Sequence, residues 1–346
     1  MKKTAVIGHF GFGKNLLNGQ TIKTKILTEA LEENFGKENV QCVDTRGGIK
    51  KLIKLIFKMP SVLRKNDDII MLPAHNGVLI FTPMLSFFNK FTRKNLHYVV
   101  IGGWLPEYLD KHKLVAKLLR RNFKGIYVET QGMQEKLQQR FFQNVIVMPN
   151  CKPLDIVKEP IEYNRGLYRF CTFSRVMKEK GIEDAVTAVT QINEHSGRVL
   201  CTLDIFGQID PDYESAFEEM QKSFPEYVNY CGLVEFSKST EVLKDYCALL
   251  FPTFYSGEGF AGTIIDAFAA GIPVIASDWR YNAEIVEHMK TGIVYPYKNI
   301  EELKKSMLIL MNDAELLRKM KENCVKEAKE YLPETVIKTL LKSLDN

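Results

Sequence analysis

Residues 248–278 read ALLFPTFYSGEGFAGTIIDAFAAGIPVIASD, a complete strand, loop, helix, strand unit in one run. Residues 248–251 form a short apolar strand that Pro252 stops, because proline has no N–H to give a sheet ladder. A loop carrying Glu258 follows, and a helix is predicted over 263–270. Ala267, Ala269 and Ala270 are small enough to let that helix lie close on a sheet, and Gly271-Ile272-Pro273 ends it and opens a second strand at 273–276. Both strands are continuous apolar runs rather than alternating ones, the pattern of parallel strands covered on both faces.

The same order extends in both directions. Nearby, strands are predicted at 168–172, 200–206 and 228–231, with helices at 181–193, 213–224, 239–245 and 282–287. Upstream, strands at 4–7, 68–72, 97–101, 125–128 and 144–148 alternate with helices at 20–35, 77–91, 106–123 and 132–142. The chain is therefore expected to be α/β, with two Rossmann-like doubly wound units. Pro149-Asn150-Cys151-Lys152-Pro153 cannot continue a central strand and marks the seam. The expected domains are 1–150 and 151–325, with a charged helical segment at 326–346 that could pack on either domain, crossing back to the first or staying on the second.

Composition narrows the class. The 346 residues are 45% hydrophobic and 26% charged, ordinary for a globular chain of two domains. The seven cysteines are an odd number with no C-x-x-C spacing, so neither a disulfide framework nor a zinc module is indicated. No stretch approaches the roughly 18 apolar residues of a membrane span, which makes a cytoplasmic protein the expectation. The net charge of +5 conceals an asymmetry: residues 1–150 carry 24 Lys and Arg against 11 Asp and Glu, and residues 151–346 carry 23 against 31. The first half is thus expected to meet something anionic. Nucleic acid is a poor fit, since that half lacks a recognisable reading module and its aromatic residues fall at core-like positions.

Four stretches can carry chemistry. Gly8-His9-Phe10-Gly11-Phe12-Gly13-Lys14-Asn15 nearly spells a phosphate-cradling P-loop, but Asn15 stands where a Ser or Thr should hold magnesium. A P-loop nucleotide hydrolase therefore stays open as an alternative, and Gly13 is a candidate for close approach to a ligand. In the quoted run, Glu258 can accept hydrogen bonds from ligand hydroxyls, the amides of Ala261, Gly262 and Thr263 at the helix start can bind phosphate beside Phe260, and Asp266 lies eight positions after Glu258. Arg175 and Lys180, five residues apart in the loop after strand 168–172, offer a planar fork and a compact charge suited to a diphosphate. Asp210-Pro211-Asp212 matches D-x-D formally, but its proline and the helical run behind it read as a turn and helix cap rather than a metal site.

Together these residues resemble the retaining glycosyltransferases of family 4, the group 1 glycosyltransferases of GT-B fold, over nearly the whole chain. The family carries an acid, seven residues and a second acid in a block like EGFAGTIIDAFAAGIPVIASD, preceded by an Arg and a Lys-Gly pair like Arg175 and Lys180-Gly181. The resemblance implies two domains facing across a cleft that holds a nucleotide diphosphate sugar, with UDP the commonest base. Glu258 would bind the donor sugar, Asp266 the ribose, and Arg175 and Lys180 the diphosphate, with no metal or other cofactor required. Asp266 departs from the family's usual glutamate, and its shorter arm would move the ribose contact or pass it through water. A non-catalytic GT-B binding subunit is the other alternative.

On the acceptor side, the family often places a histidine in an N-domain loop, and His75 is the nearest candidate here, to orient or deprotonate an acceptor hydroxyl. Trp104 and Glu107 would line the same pocket. Residues 48–58 pair an apolar face with Lys50, Lys51, Lys54 and Lys58, a basic amphipathic segment suited to an anionic membrane surface. The expected acceptor is a glycan or a lipid-diphosphate-linked glycan of envelope polysaccharide assembly, with the enzyme peripheral on the inner face of the plasma membrane.

Overall fold

The computed structural model describes residues 2–12, 19–47, 49–161 and 166–345. They divide into two units, Met1–Pro153 with Leu332–Asn346, and Leu154–Tyr331. Among the described residues no helix is long and apolar enough to cross a membrane.

The first unit runs β1 (Thr4–Gly8), α1 (Gly19–Phe35), β2 (Val40–Asp44), α2 (Ile49–Lys65), β3 (Asp68–Met71), α3 (His75–Thr92), β4 (Asn95–Val99), α4 (Leu105–Lys111), α5 (Lys113–Asn122), β5 (Gly125–Val128), α6 (Gln131–Gln138) and β6 (Val145–Val147). All pairings are parallel, in the order β2-β1-β3-β4-β5-β6. Val6, Ile70, Val99 and Tyr127 from the strands meet Ile26, Leu27 and Leu31 of α1 in one buried core. The chain's last helix, Pro333–Asp345, adds Val336, Ile337, Leu340 and Leu344 to that same core.

Three differences from the sequence reading have local causes. Strand β2 was not expected, because at the sheet edge Gln41 and Asp44 interrupt its apolar run. The single helix expected over 106–123 is two, since His112 leaves helical geometry at φ −124° and ψ 63° and packs its ring on Tyr108. The basic segment at 48–58 is a longer helix, α2, whose Leu55, Met59, Val62 and Leu63 face the core.

The second unit runs β7 (Tyr168–Phe173), α7 (Ile182–Ser196), β8 (Cys201–Phe206), α8 (Glu214–Gln221), β9 (Val228–Gly232), α9 (Ser239–Leu243), β10 (Ala248–Phe251), α10 (Gly262–Ala269), β11 (Val274–Ser277), α11 (Asn282–Ile285), β12 (Gly292–Tyr295), α12 (Ile300–Asn312) and α13 (Ala314–Ala328). The Pro333–Asp345 helix is α14. Helix α12 and strand β12 were absent from the sequence reading. The parallel order is β12-β11-β10-β7-β8-β9. Successive strands run outward in opposite directions from the β7/β10 pair, so the connections leaving those two strands diverge and open a crevice at their carboxyl ends, where ligands bind in doubly wound sheets. Opposite faces are sealed by two apolar clusters, one with α7 and α12, the other with α10 and α13.

Candidate active site

The loops leaving β7 and β10 are tied to each other at that crevice. Lys180, at the end of the β7 loop, donates to Glu258 Oε2 at 2.6 Å, and the two side chains are only 11% and 8% exposed. Thr253, fully buried just past β10, donates its hydroxyl to the same oxygen at 2.8 Å and receives the Tyr255 amide at 3.2 Å. Among the described residues, Glu258 Oε1 accepts no hydrogen bond. The Glu179 carbonyl takes the Phe254 amide at 2.7 Å, and Ser277 at the end of β11 donates to the Thr253 carbonyl at 2.6 Å. Lys180 also lies 5.4 Å from the Phe251 ring centre and 5.2 Å from that of Tyr255, within cation–π range. Gly181 permits this closeness: it has φ +70°, and a Cβ there would stand 2.3 Å from the Pro252 carbonyl oxygen.

Arg175 occupies the same β7 loop but is more open, with its side chain 58% exposed and Nη1 3.3 Å from Asp210 Oδ2. Asp210 also accepts the Asp212 amide at 3.1 Å, so the formal D-x-D is a turn as expected. It is not a helix cap, because the residue preceding α8 is Tyr213 and no side chain caps that helix.

Helix α10 begins at Gly262 after Ala261, and no side chain caps it. Its first amides therefore lack the intrahelical partners that later ones have, and point where an anion can meet the positive end of the helix dipole. The Thr263 hydroxyl is buried without a hydrogen-bond partner among the described residues. Phe260 is buried in the core, its ring 4.9 Å from that of Tyr331. Asp266 is buried, and Ser239 at the start of α9 donates to its Oδ1 at 2.8 Å. The shorter arm keeps this carboxylate at the helix surface, where α9 meets it.

In the first unit, His75 opens α3 and is exposed. Its ring stacks on Trp104 at 3.9 Å between centres, Tyr108 stands edge-on at 5.4 Å, and the Tyr108 hydroxyl donates to the His75 carbonyl at 2.8 Å. Partial burial against these rings pushes the imidazole below its usual pKa. Glu107 faces Lys136 at 3.4 Å. Asp44 gathers the Phe10, Gly11 and Arg46 amides and the Lys51 ammonium, at 3.0, 3.4, 3.0 and 3.0 Å. Burial alone would raise the Asp44 pKa, but these donors together bring it below the usual value. Lys51 keeps 42% of its side chain exposed in this pair, and Lys50, Lys54 and Lys58 are exposed. Gly13, Lys14 and Asn15 of the P-loop-like stretch lie outside the described residues.

Thr253, Tyr255 and Ser277 were not singled out in the sequence, nor was Tyr108 or the buried Lys23–Glu129 pair that ties α1 to the end of β5. Thr253 carried one usable signal: a hydroxyl directly after the strand-ending Pro252 at a divergent sheet edge.

This switch-point site lies in the part of the chain that the family model for glycosyl transferases group 1 matches, residues 157–327. That match takes in 171 of the 346 residues, just under half of the chain. An uncharacterized glycosyltransferase of Methanocaldococcus jannaschii is 22% identical over 71% of this chain and 65% of its own length. The N,N'-diacetylbacillosaminyl-diphospho-undecaprenol alpha-1,3-N-acetylgalactosaminyltransferase of Campylobacter jejuni is 23% identical over 65% of this chain and 51% of its own. The chain thus spans less than two thirds of these curated relatives. The structure of Anabaena HepE in complex with UDP and glucose superposes with a TM-score of 0.76 at 14% identity, covering 100% of both chains. That likeness shows the two-domain α/β GT-B fold.

Proposed function

We propose that the protein is a family 4 retaining glycosyltransferase that moves a sugar from a nucleotide diphosphate sugar, with UDP as the nucleotide, to a glycan or lipid-linked glycan in envelope polysaccharide assembly. The observation that carries this reading is the Lys180–Glu258–Thr253 cluster at the β7/β10 switch point, flanked by Arg175 and the uncapped start of α10. Lys180 and Thr253 occupy one oxygen of Glu258, which leaves the other to accept a donor-sugar hydroxyl. Lys180 has three N–H groups and gives one to Glu258, so two remain for a diphosphate. Arg175 adds its planar fork and the Gly262 and Thr263 amides add fixed dipoles. Negative charge grows on the leaving diphosphate as the glycosidic bond breaks, and donors already oriented toward it stabilise the transition state more than the ground state. In this reading the cations and amides serve without a metal ion. Asp266 and Ser239 support the ribose side, while His75, backed by Trp104, orients the acceptor hydroxyl.

HepE, crystallised with UDP and glucose, and the Campylobacter enzyme, named for a diphospho-undecaprenol acceptor, support the choice of donor and acceptor class. The protein would work peripherally at the cytoplasmic face of the membrane. Glu258→Ala should abolish transfer with the fold intact, and Arg175→Ala should weaken nucleoside diphosphate binding. Unchanged turnover in both variants would overturn the proposal.

A further inference from the structure

We infer that Glu129 is a positioning residue for the His75 site, acting through the turn that carries Trp104. Glu129 follows β5 and Lys23 lies in α1, and the two pair at 2.5 Å with side chains only 3% and 5% exposed. Stripping water from two such charges costs about as much as their attraction returns, and a well-packed apolar pair often serves a fold equally well. The remaining contacts of the pair show what the charges are for. Glu129 gives Oε1 to Lys23 and accepts the Gly102 amide on Oε2 at 3.2 Å, while Lys23 also donates to the Val100 carbonyl at 3.4 Å. Both charges thus hold one short turn, residues 100–103, between β4 and α4.

That turn leads directly to the candidate acceptor residues. Gly102 stands at φ +83°, in the left-handed region that glycine enters freely, and its amide belongs to neither β4 nor α4. Glu129 supplies the acceptor that fixes it. One residue back, the Ile101 carbonyl takes the indole N–H of Trp104 at 2.7 Å, and the Trp104 ring, buried on its other side, stacks on His75 at 3.9 Å between centres. Lys23, Glu129, the turn, Trp104 and His75 therefore form one unbroken line of contacts within the first unit. Without the carboxylate the turn is released, the indole moves, and the imidazole loses the platform that aims it. The catalytic consequence rests on the acceptor role proposed for His75, whereas the placement of Trp104 does not.

Two double variants separate positioning from stability, since both remove the buried ion pair. Lys23→Met with Glu129→Gln keeps an acceptor oxygen for the Gly102 amide, and Lys23→Met with Glu129→Leu does not. The chain's two tryptophans are Trp104 and Trp279, so acrylamide quenching in a Trp279→Phe background reads Trp104 alone. The leucine pair should raise that quenching and shift the emission to the red, and the glutamine pair should restore both. With Trp279 in place, kcat for transfer from UDP-glucose to a diphospho-undecaprenol-linked glycan should fall ~10-fold or more in the leucine pair and recover in the glutamine pair, with UDP affinity by calorimetry at the wild-type value in both. Lys23→Met with Glu129→Ser, too short to reach Gly102, serves if the leucine pair does not fold. Unchanged quenching in the pair without an acceptor would overturn the inference, as would an equal loss of transfer in both pairs, which would make the ion pair a matter of stability alone. A wild type that transfers nothing would overturn the transferase reading, while the quenching still decides whether Glu129 places Trp104.

Discussion

Replacing Thr253 by valine tests the geometry of the site with the least change of shape. The hydroxyl is fully buried, donates to Glu258 Oε2 at 2.8 Å and accepts the Tyr255 amide at 3.2 Å. Valine puts a methyl group where both bonds were made, leaving Lys180 as the one donor to that oxygen and the Tyr255 amide without its acceptor. A hydrogen bond to a charged group is worth about 1.5–3 kcal/mol, so Thr253→Val should lower unfolding stability by roughly 2 kcal/mol. Glu258 also loses one of the two contacts that aim it. A displacement near 1 Å at a reacting centre costs about 100-fold, so transfer should fall by ~10- to 100-fold. Urea unfolding and initial transfer rates read the two effects separately. Thr253→Ser restores the donor and should recover most of both. If Thr253→Val unfolds at the wild-type midpoint and transfers at the wild-type rate, Thr253 does not hold Glu258.

Gly181→Ala places a methyl group 2.3 Å from the Pro252 carbonyl at φ +70°; the backbone alone costs ~1–2 kcal/mol there, and calorimetry should show weaker UDP binding as Lys180 is pushed from Glu258, whereas wild-type affinity would show that the two loops need not touch. His75 has its pKa lowered by burial, so its contribution to stability is complete above the ordinary value of 6.5 and is lost as pH falls through the lower folded value. Transfer should decline over that same acidic range, and His75→Gln should remove the decline; an identical pH profile would exclude the residue. Leu340 on α14 is fully buried in the first unit's core, so Leu340→Ala should destabilise by ~2–5 kcal/mol in urea unfolding, and a negligible change would mean that α14 is not part of that core.

What could be read in the sequence follows from where each signal resides. Strands β10 and β11 were legible because both of their faces are covered and every residue but the terminal Ser277 is apolar, whereas edge strand β2 carries Gln41 and Asp44 and gives no continuous run. The cluster itself was only half legible. Glu258 and Lys180 stand out within their own loops, but they are 78 residues apart, and their direct contact, like that of Arg175 with Asp210, is a product of strand order that no local pattern encodes. Phe260 shows the converse: its place between Gly259 and Ala261 suggested a ligand contact, yet an aromatic ring beside the Tyr331 core packs inward. Lys51 fits the basic face of α2 by sequence, but its ion pair with Asp44 on the neighbouring strand could not be read there.

The central claim is that the second unit binds a nucleoside diphosphate through Arg175 and Lys180 without a metal ion. Thermal unfolding against UDP, GDP, ADP and Mg-ATP, each with and without EDTA, tests it most directly, because a ligand at ~100 times its Kd adds about 2.7 kcal/mol to stability. The account predicts a shift with one nucleoside diphosphate, indifferent to EDTA and lost in Arg175→Ala. A shift with Mg-ATP alone, abolished by EDTA and by Lys14→Ala and retained in Arg175→Ala, would contradict it.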